Sequence, residues 1–138
     1  MISTECARAL AAAGLRWHPA SGDAFSIDRG GFENDVFTVS DMTIEPHEFD
    51  TGTILGFNGT TEWALDSLAL EDALWLPRED QLRGLLRSTF RSLRRLDESA
   101  HRVLVEISGS AESFDAADPA DAYGLALLRL IGLSADDV

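Results

Sequence analysis

Arginine recurs through residues 78–95 in a pattern suited to holding anions: Arg83, Arg87 and Arg91 stand four apart, and Arg94 and Arg95 continue the row. A guanidinium keeps its charge at any physiological pH and offers a planar fork of N–H donors that matches a carboxylate or phosphate. Such a row does the chemistry of docking rather than of bond-making. From Arg78 to Arg95 six arginines face two acids, a net +4, which leaves −17 for the rest of the 138-residue chain. Acids at helical spacing that would neutralise the row from within are missing. One reading makes Arg83, Arg87, Arg91, Arg94 and Arg95 a partner-binding face for an acidic protein, a phosphate or a second copy of the chain. The other makes them a solvated face balanced by acidic loops of the same molecule, each exposed pair contributing about 0–1 kcal/mol. Internal balance is the ordinary arrangement for charge opposite a buried stripe.

The acids form the second constellation. Between Asp28 and Asp72 there are eleven acids and one arginine, Arg29, and Asp41, Glu45, Glu48 and Asp50 surround His47. Clustered carboxylates can ligate a divalent cation. Their spacing matches no calcium loop or zinc signature, and alternation along a strand would send them to opposite faces. They are read as an acidic surface, with no metal site expected. His18, His47 and His101 fall into no Ser/His/Asp or Cys/His pattern. An enzyme would need His18 or His47 to converge with acids in a concave site, and no catalytic residue is assigned. The lone Cys6 permits no intramolecular disulfide and no cysteine cage. A lowered thiol pKa near a helix start is one option for it, and packing against the core is the commoner one. No lysine occurs, so a phosphate loop of the usual form is excluded, and no cofactor is expected. Trp17, Trp63 and Trp75 read as core anchors.

The elements that would position these groups are legible from pattern. Ser3 or Thr4 caps a helix to about Ala13, with Gly14 as its stop. A loop at 15–23 drops Trp17 onto the core. Strands are expected at Ala24–Ile27, Val36–Ser40, Thr43–Phe49 and Thr53–Phe57, the third at an edge because Pro46 lacks a ladder donor. Trp63–Leu76 is ambiguous, with a strand favoured at Ala73–Leu76. Pro77 opens a helix to about Leu96, whose buried stripe is Leu82, Leu85, Leu86, Phe90, Leu93 and Leu96. Arg102–Ile107 and Glu112–Asp115 form a hairpin around Ser108-Gly109-Ser110. Asp118 and Pro119 start a last helix that ends before Gly132. The sum is a single α+β domain, a mostly antiparallel sheet of about five to seven strands flanked by three helices.

With 24 acids against 11 arginines the net charge is −13, which repels nucleic acid and anionic membranes. The first residues lack a basic stretch followed by an apolar one, and no apolar run approaches a membrane span, so a cytoplasmic protein without membrane insertion is expected. An all-arginine cation set fits a high-GC genome.

Two longer stretches carry a resemblance. Gly14-Leu15-Arg16-Trp17-His18-Pro19-Ala20-Ser21-Gly22-Asp23 with Val36–Met42, and Phe57–Ser67 with Trp75-Leu76-Pro77-Arg78-Glu79-Asp80-Gln81-Leu82, together look like small actinobacterial proteins labelled pilus assembly protein CpaE. The resemblance spans nearly the whole chain and implies a link to a pilus or envelope system. It carries no ATPase residues, since an ATPase of that name needs a phosphate-loop lysine. The leading reading is a non-enzymatic interaction protein with a protein partner. The runner-up is an acidic inhibitor or immunity-type protein, a nucleic-acid mimic that neutralises a basic partner. An enzyme on a small substrate comes third.

Overall fold

The computed structural model describes residues 1–27, 35–39, 44–49, 52–57 and 67–136, and of 44–49, 52–57, 67–70 and 135–136 the backbone alone. The chain divides into two compact units, one built from 1–16 and 77–138 and the other from 17–76.

The first unit begins with α1 (Thr4–Ala12), which starts where Ser3 Oγ accepts from the Cys6 amide at 3.1 Å and stops just before Gly14, at φ +109°. It continues with α2 (Glu79–Leu86), a 3-10 turn (Arg87–Thr89), strands β7 (Phe90–Asp97), β8 (Ala100–Ile107) and β9 (Ser110–Ala116), and α3 (Pro119–Asp136). The strands form one antiparallel sheet in the order β7-β8-β9. Helix α3 packs on α1, α2, β8 and β9. Its Ala120, Ala122, Tyr123, Ala126 and Leu127 are buried, as are Leu10 of α1, Leu82 and Leu86 of α2, and Val103 and Val105 of β8. Asp118 Oδ1 accepts from the Ala120 amide at 2.8 Å and caps α3 as expected. Asp121 Oδ1 reaches instead to the Ser3 amide at 2.7 Å, tying the starts of α1 and α3 together. Contrary to expectation, α3 runs through Gly132, whose missing side chain is no stop while its backbone stays helical.

The largest departure concerns residues 87–97. The helix expected to reach Leu96 ends at Leu86, because Arg87 takes φ +54° and turns the chain into β7. The leucine and arginine periods belong to a bulged strand. Phe90 pairs with Val105 and Leu93 with Val103, so two residues three apart oppose two residues two apart. The extra residue at Arg91 is a bulge, which puts positions i and i+3 of a strand on one face and so reproduces a helical spacing. A second irregularity lies between Arg95 and Asp97. The β7–β8 turn is closed by Asp97, whose Oδ1 accepts from the Ser99 amide at 2.7 Å and from its hydroxyl. The β8–β9 turn has positive φ at Ser108 and Gly109, as a two-residue hairpin turn requires.

The second unit holds two three-stranded antiparallel sheets. One has the order β2-β1-β6, from β1 (Ala24–Ile27), β2 (Phe37–Thr38) and β6 (Ala73–Leu76); the other is β3-β4-β5, from β3 (Ile44–Phe49), β4 (Gly52–Phe57) and β5 (Ser67–Ala69). Trp17, Phe25, Ile27 and Val39 make a buried cluster against which Phe37, Ala73 and Trp75 pack. The buried Asp23 carboxylate anchors Trp17, accepting from its Nε1 at 3.0 Å and from the Ala20 amide at 3.1 Å. Pro46 sits on β3 at a sheet edge, where its missing donor costs no ladder bond. Ambiguity over Trp63–Leu76 resolves, from Ser67 onward, into β5, a 3-10 turn (Leu70–Asp72) and β6.

The class is α+β, with three helices and antiparallel pairing throughout the described residues. Strands number nine among those residues, spread over three sheets rather than gathered in one. The extra strands are β5 and β7, the first too short and the second too bulged to show period-two alternation.

Candidate functional site

The five arginines do not share a helix face. Arg83 lies on α2, Arg87 at its stop, and Arg91, Arg94 and Arg95 on β7, all exposed. The single row four residues apart is thus corrected to a strand edge with a helix end behind it. The reason is the positive φ at Arg87, a position usually filled by glycine, which the sequence does not announce.

Each guanidinium has its own surroundings. The Arg83 guanidinium carbon lies 5.9 Å from the Phe90 ring centroid, and Phe90 in turn tilts against Tyr123 at 5.7 Å. Burial pushes the Tyr123 phenol above its usual pKa, against the opposing pull of Arg83. Arg91 holds the bulge, its Nη1 donating to the carbonyls of Ser88 and Phe90 and its Nε lying 3.4 Å from a Glu106 oxygen. Arg95 Nε donates to the Asp97 carbonyl at 3.1 Å. No carboxylate lies within ion-pairing distance of Arg83, Arg87, Arg94 or Arg95 among the described residues, although the chain holds 24 acids.

Register places Arg94, Arg102 and Asp115 side by side across the three strands, on the face opposite buried Val103 and Val105. Arg102 binds Asp115 bidentately, Nε to Oδ1 at 2.8 Å and Nη2 to Oδ2 at 2.9 Å. The hydrogen bonds from Arg102 hold the Asp115 carboxyl below the usual carboxylate range, and Asp115 raises Arg102 in return. That pair is saturated, and Arg94 beside it is left to solvent. Arg95, one residue on, falls on the other face with His101, whose Nδ1 donates to the Ala117 carbonyl at 2.9 Å.

Leu93 and Leu96, assigned to a buried stripe by their spacing, are each 38% exposed on β7. Sequence reasoning therefore missed an edge strand in which Leu93 and Leu96 flank the adjacent Arg94 and Arg95. The Asp97-Glu98-Ser99 turn and the strand-forming Thr89-Phe90 pair were the signals that could have found it.

Glu45 and Glu48 lie on β3, the edge strand of its sheet, and Asp41 and Asp50 lie outside the described residues. His18 is exposed. Among the described residues no three His, Cys, Asp or Glu side chains come close enough to hold a metal, and no helix is long and apolar enough to cross a membrane. Cys6 is half-buried against α3 at Gly124, and burial, helped by Asp121, pushes its thiol up to about 11. The option of an activated thiol is thereby reversed, since the charge of the helix start is outweighed by desolvation. No protein-family model, curated protein or solved structure is matched by this chain.

Proposed function

We propose that the protein is a small non-enzymatic interaction module that captures an acidic protein partner on the arginines of β7 and the adjoining end of α2. The observation that carries this reading is the unspent positive charge: Arg83, Arg87, Arg94 and Arg95 face solvent with no carboxylate in reach among the described residues, in a chain of net charge −13. Internal balance would have used some of those acids. Instead Arg102, Arg129, Arg91 and Arg78 take Asp115, Glu112, Glu106 and Asp80, and among the described residues Arg83, Arg87, Arg94 and Arg95 are left out. A cytoplasmic position and a task in a pilus- or envelope-associated system accord with the sequence resemblance and belong to the same proposal.

A second reading, the acidic inhibitor of a basic partner, is favoured by one observation: residues 17–76 hold twelve acids against a single arginine. Charge reversal distinguishes the two. Co-purification from the native cells is compared for the natural chain, for Arg94→Glu/Arg95→Glu, and for Asp41→Lys/Glu45→Lys/Glu48→Lys/Asp50→Lys. The proposal expects one acidic partner, identified by mass, to be lost with the arginine variant and kept with the acid variant, at an unchanged thermal midpoint for the arginine variant. The reverse pattern, with a basic partner, would favour the inhibitor.

A further inference from the structure

Resting on the reading that the β7 arginines capture an acidic partner, we infer that the capture is strand addition: an extended acidic segment pairs with the free edge of β7 as a fourth strand of its sheet. β7 ends the order β7-β8-β9 and, among the described residues, pairs with β8 alone. Seven of its eight residues are exposed, and among the described residues its backbone makes no backbone–backbone bond on the outer side, although the carbonyls at its two ends, Phe90 and Asp97, accept from Arg91 and Arg95. An edge of this kind is a row of open N–H and C=O groups, the template for β-augmentation. Leu93 and Leu96 add partly exposed apolar surface beside it.

Charge selects β7 over the opposite edge, β9. There Glu112 is taken by Arg129 at 3.1 Å and Asp115 by Arg102, and the strand carries no cation, so it has nothing left for a charged partner. β7 offers Arg94 and Arg95, unpaired by any carboxylate among the described residues. Charge also argues against a second copy: antiparallel pairing of β7 with itself centred on Arg94 or on Arg94-Arg95 sets arginine against arginine.

Register then specifies the segment. Between the two irregularities Ser92–Arg95 forms a regular ladder, with Ser92 and Arg94 on one face and Leu93 and Arg95 on the other. An incoming strand meets them with an apolar residue opposite Leu93 and two successive acids opposite Arg94 and Arg95, one on each face, because neighbouring strand residues point opposite ways.

The test uses the full chain at low salt and fluorescence anisotropy with labelled peptides of roughly eight residues, a Thr/Val strand in which an adjacent Asp-Glu pair and one Leu are scanned along the sequence. The expected result is a peptide that binds with Leu beside the acid pair, weakens about fivefold when the acids become Asn-Gln, and weakens about tenfold on Arg94→Glu/Arg95→Glu. Methylating alternate backbone nitrogens of that peptide should abolish binding, and binding should protect Ser92–Arg95 amides from hydrogen exchange. If the methylated peptide binds as well as its parent while the arginine variant does not, strand addition is overturned and docking on the side chains stands. If no peptide binds, both fall. Self-association of Arg94→Ala/Arg95→Ala in that last case would identify the arginines and bulges as guards of the edge.

Discussion

Two residues in contact give the sharpest energetic statement about this molecule. A Cβ added at Gly124 of α3 would lie 2.4 Å from Cys6 Sγ of α1, far inside contact distance. Gly124→Ala therefore sets an overpacking cost of about 1–3 kcal/mol against a helix-propensity gain of about 1 kcal/mol. The clash wins, and the variant should be destabilised. In a Cys6→Ala background the obstacle is gone and the same substitution should stabilise, so its effect changes sign between backgrounds; urea denaturation of the four chains of that cycle measures it. The thiol raised to about 11 makes a second prediction at the same place. At pH 8 its thiolate fraction is about a hundredfold below that of an ordinary cysteine, so iodoacetamide should alkylate Cys6 correspondingly slowly in the native state and at the normal rate in urea.

At the scale of elements the decisive junction is the stop of α2. Arg87 holds φ +54° and ψ −134°, a region that side chains avoid and glycine enters freely. Relief of that strain, about 1–3 kcal/mol, exceeds the greater chain entropy of an unfolded glycine, about 0.4–1 kcal/mol. Arg87→Gly should accordingly raise the thermal midpoint while removing one of the exposed cations, and a lowered midpoint would contradict the turn described here. The same position hides the end of the helix from the sequence. With Arg87 standing where glycine usually ends a helix, and with a bulge at Arg91 converting a two-residue alternation into a three-residue one, Leu82, Leu86, Phe90 and Leu93 form an uninterrupted apolar pattern. By contrast α1, its Ser3 cap, the start of α3 at Asp118 and the hairpin at Ser108-Gly109 use standard signals and were legible in advance.

For the molecule as a whole the governing quantity is the charge of −13. Like charges spread over a small protein repel one another, and salt screens them within about 8 Å at physiological ionic strength. The thermal midpoint at pH 7 should thus rise as sodium chloride is added from low concentration, whereas binding to an acidic partner should weaken over the same range. Acid acts through individual pairs. Asp115, hydrogen-bonded by Arg102, has its pKa depressed in the folded chain, so its stabilising effect is complete above the ordinary carboxylate pKa and is lost as pH falls through the lower, folded value. Asp115→Asn should flatten that acid limb, lowering the midpoint slightly above pH 5, where the exposed pair is formed, and leaving it nearly unchanged below the folded pKa, as thermal scans across pH would record.

Local chemistry alone was enough for the α+β class, the caps of α1 and α3, the hairpin turn at Ser108-Gly109, the division of charge and the presence of an arginine-rich segment before Arg102. Its candidate site was legible as a list of arginines and illegible as a surface. Whether those arginines stood on a helix or on an edge strand was decided by tertiary structure, because pairing of Phe90 with Val105 and Leu93 with Val103 buries the inner side of the sheet against α3, and a bulge absorbs the spare residue. Long-range pairing energy of that kind overrides a local period, and it alone left Leu93, Arg94 and Arg95 on an open edge.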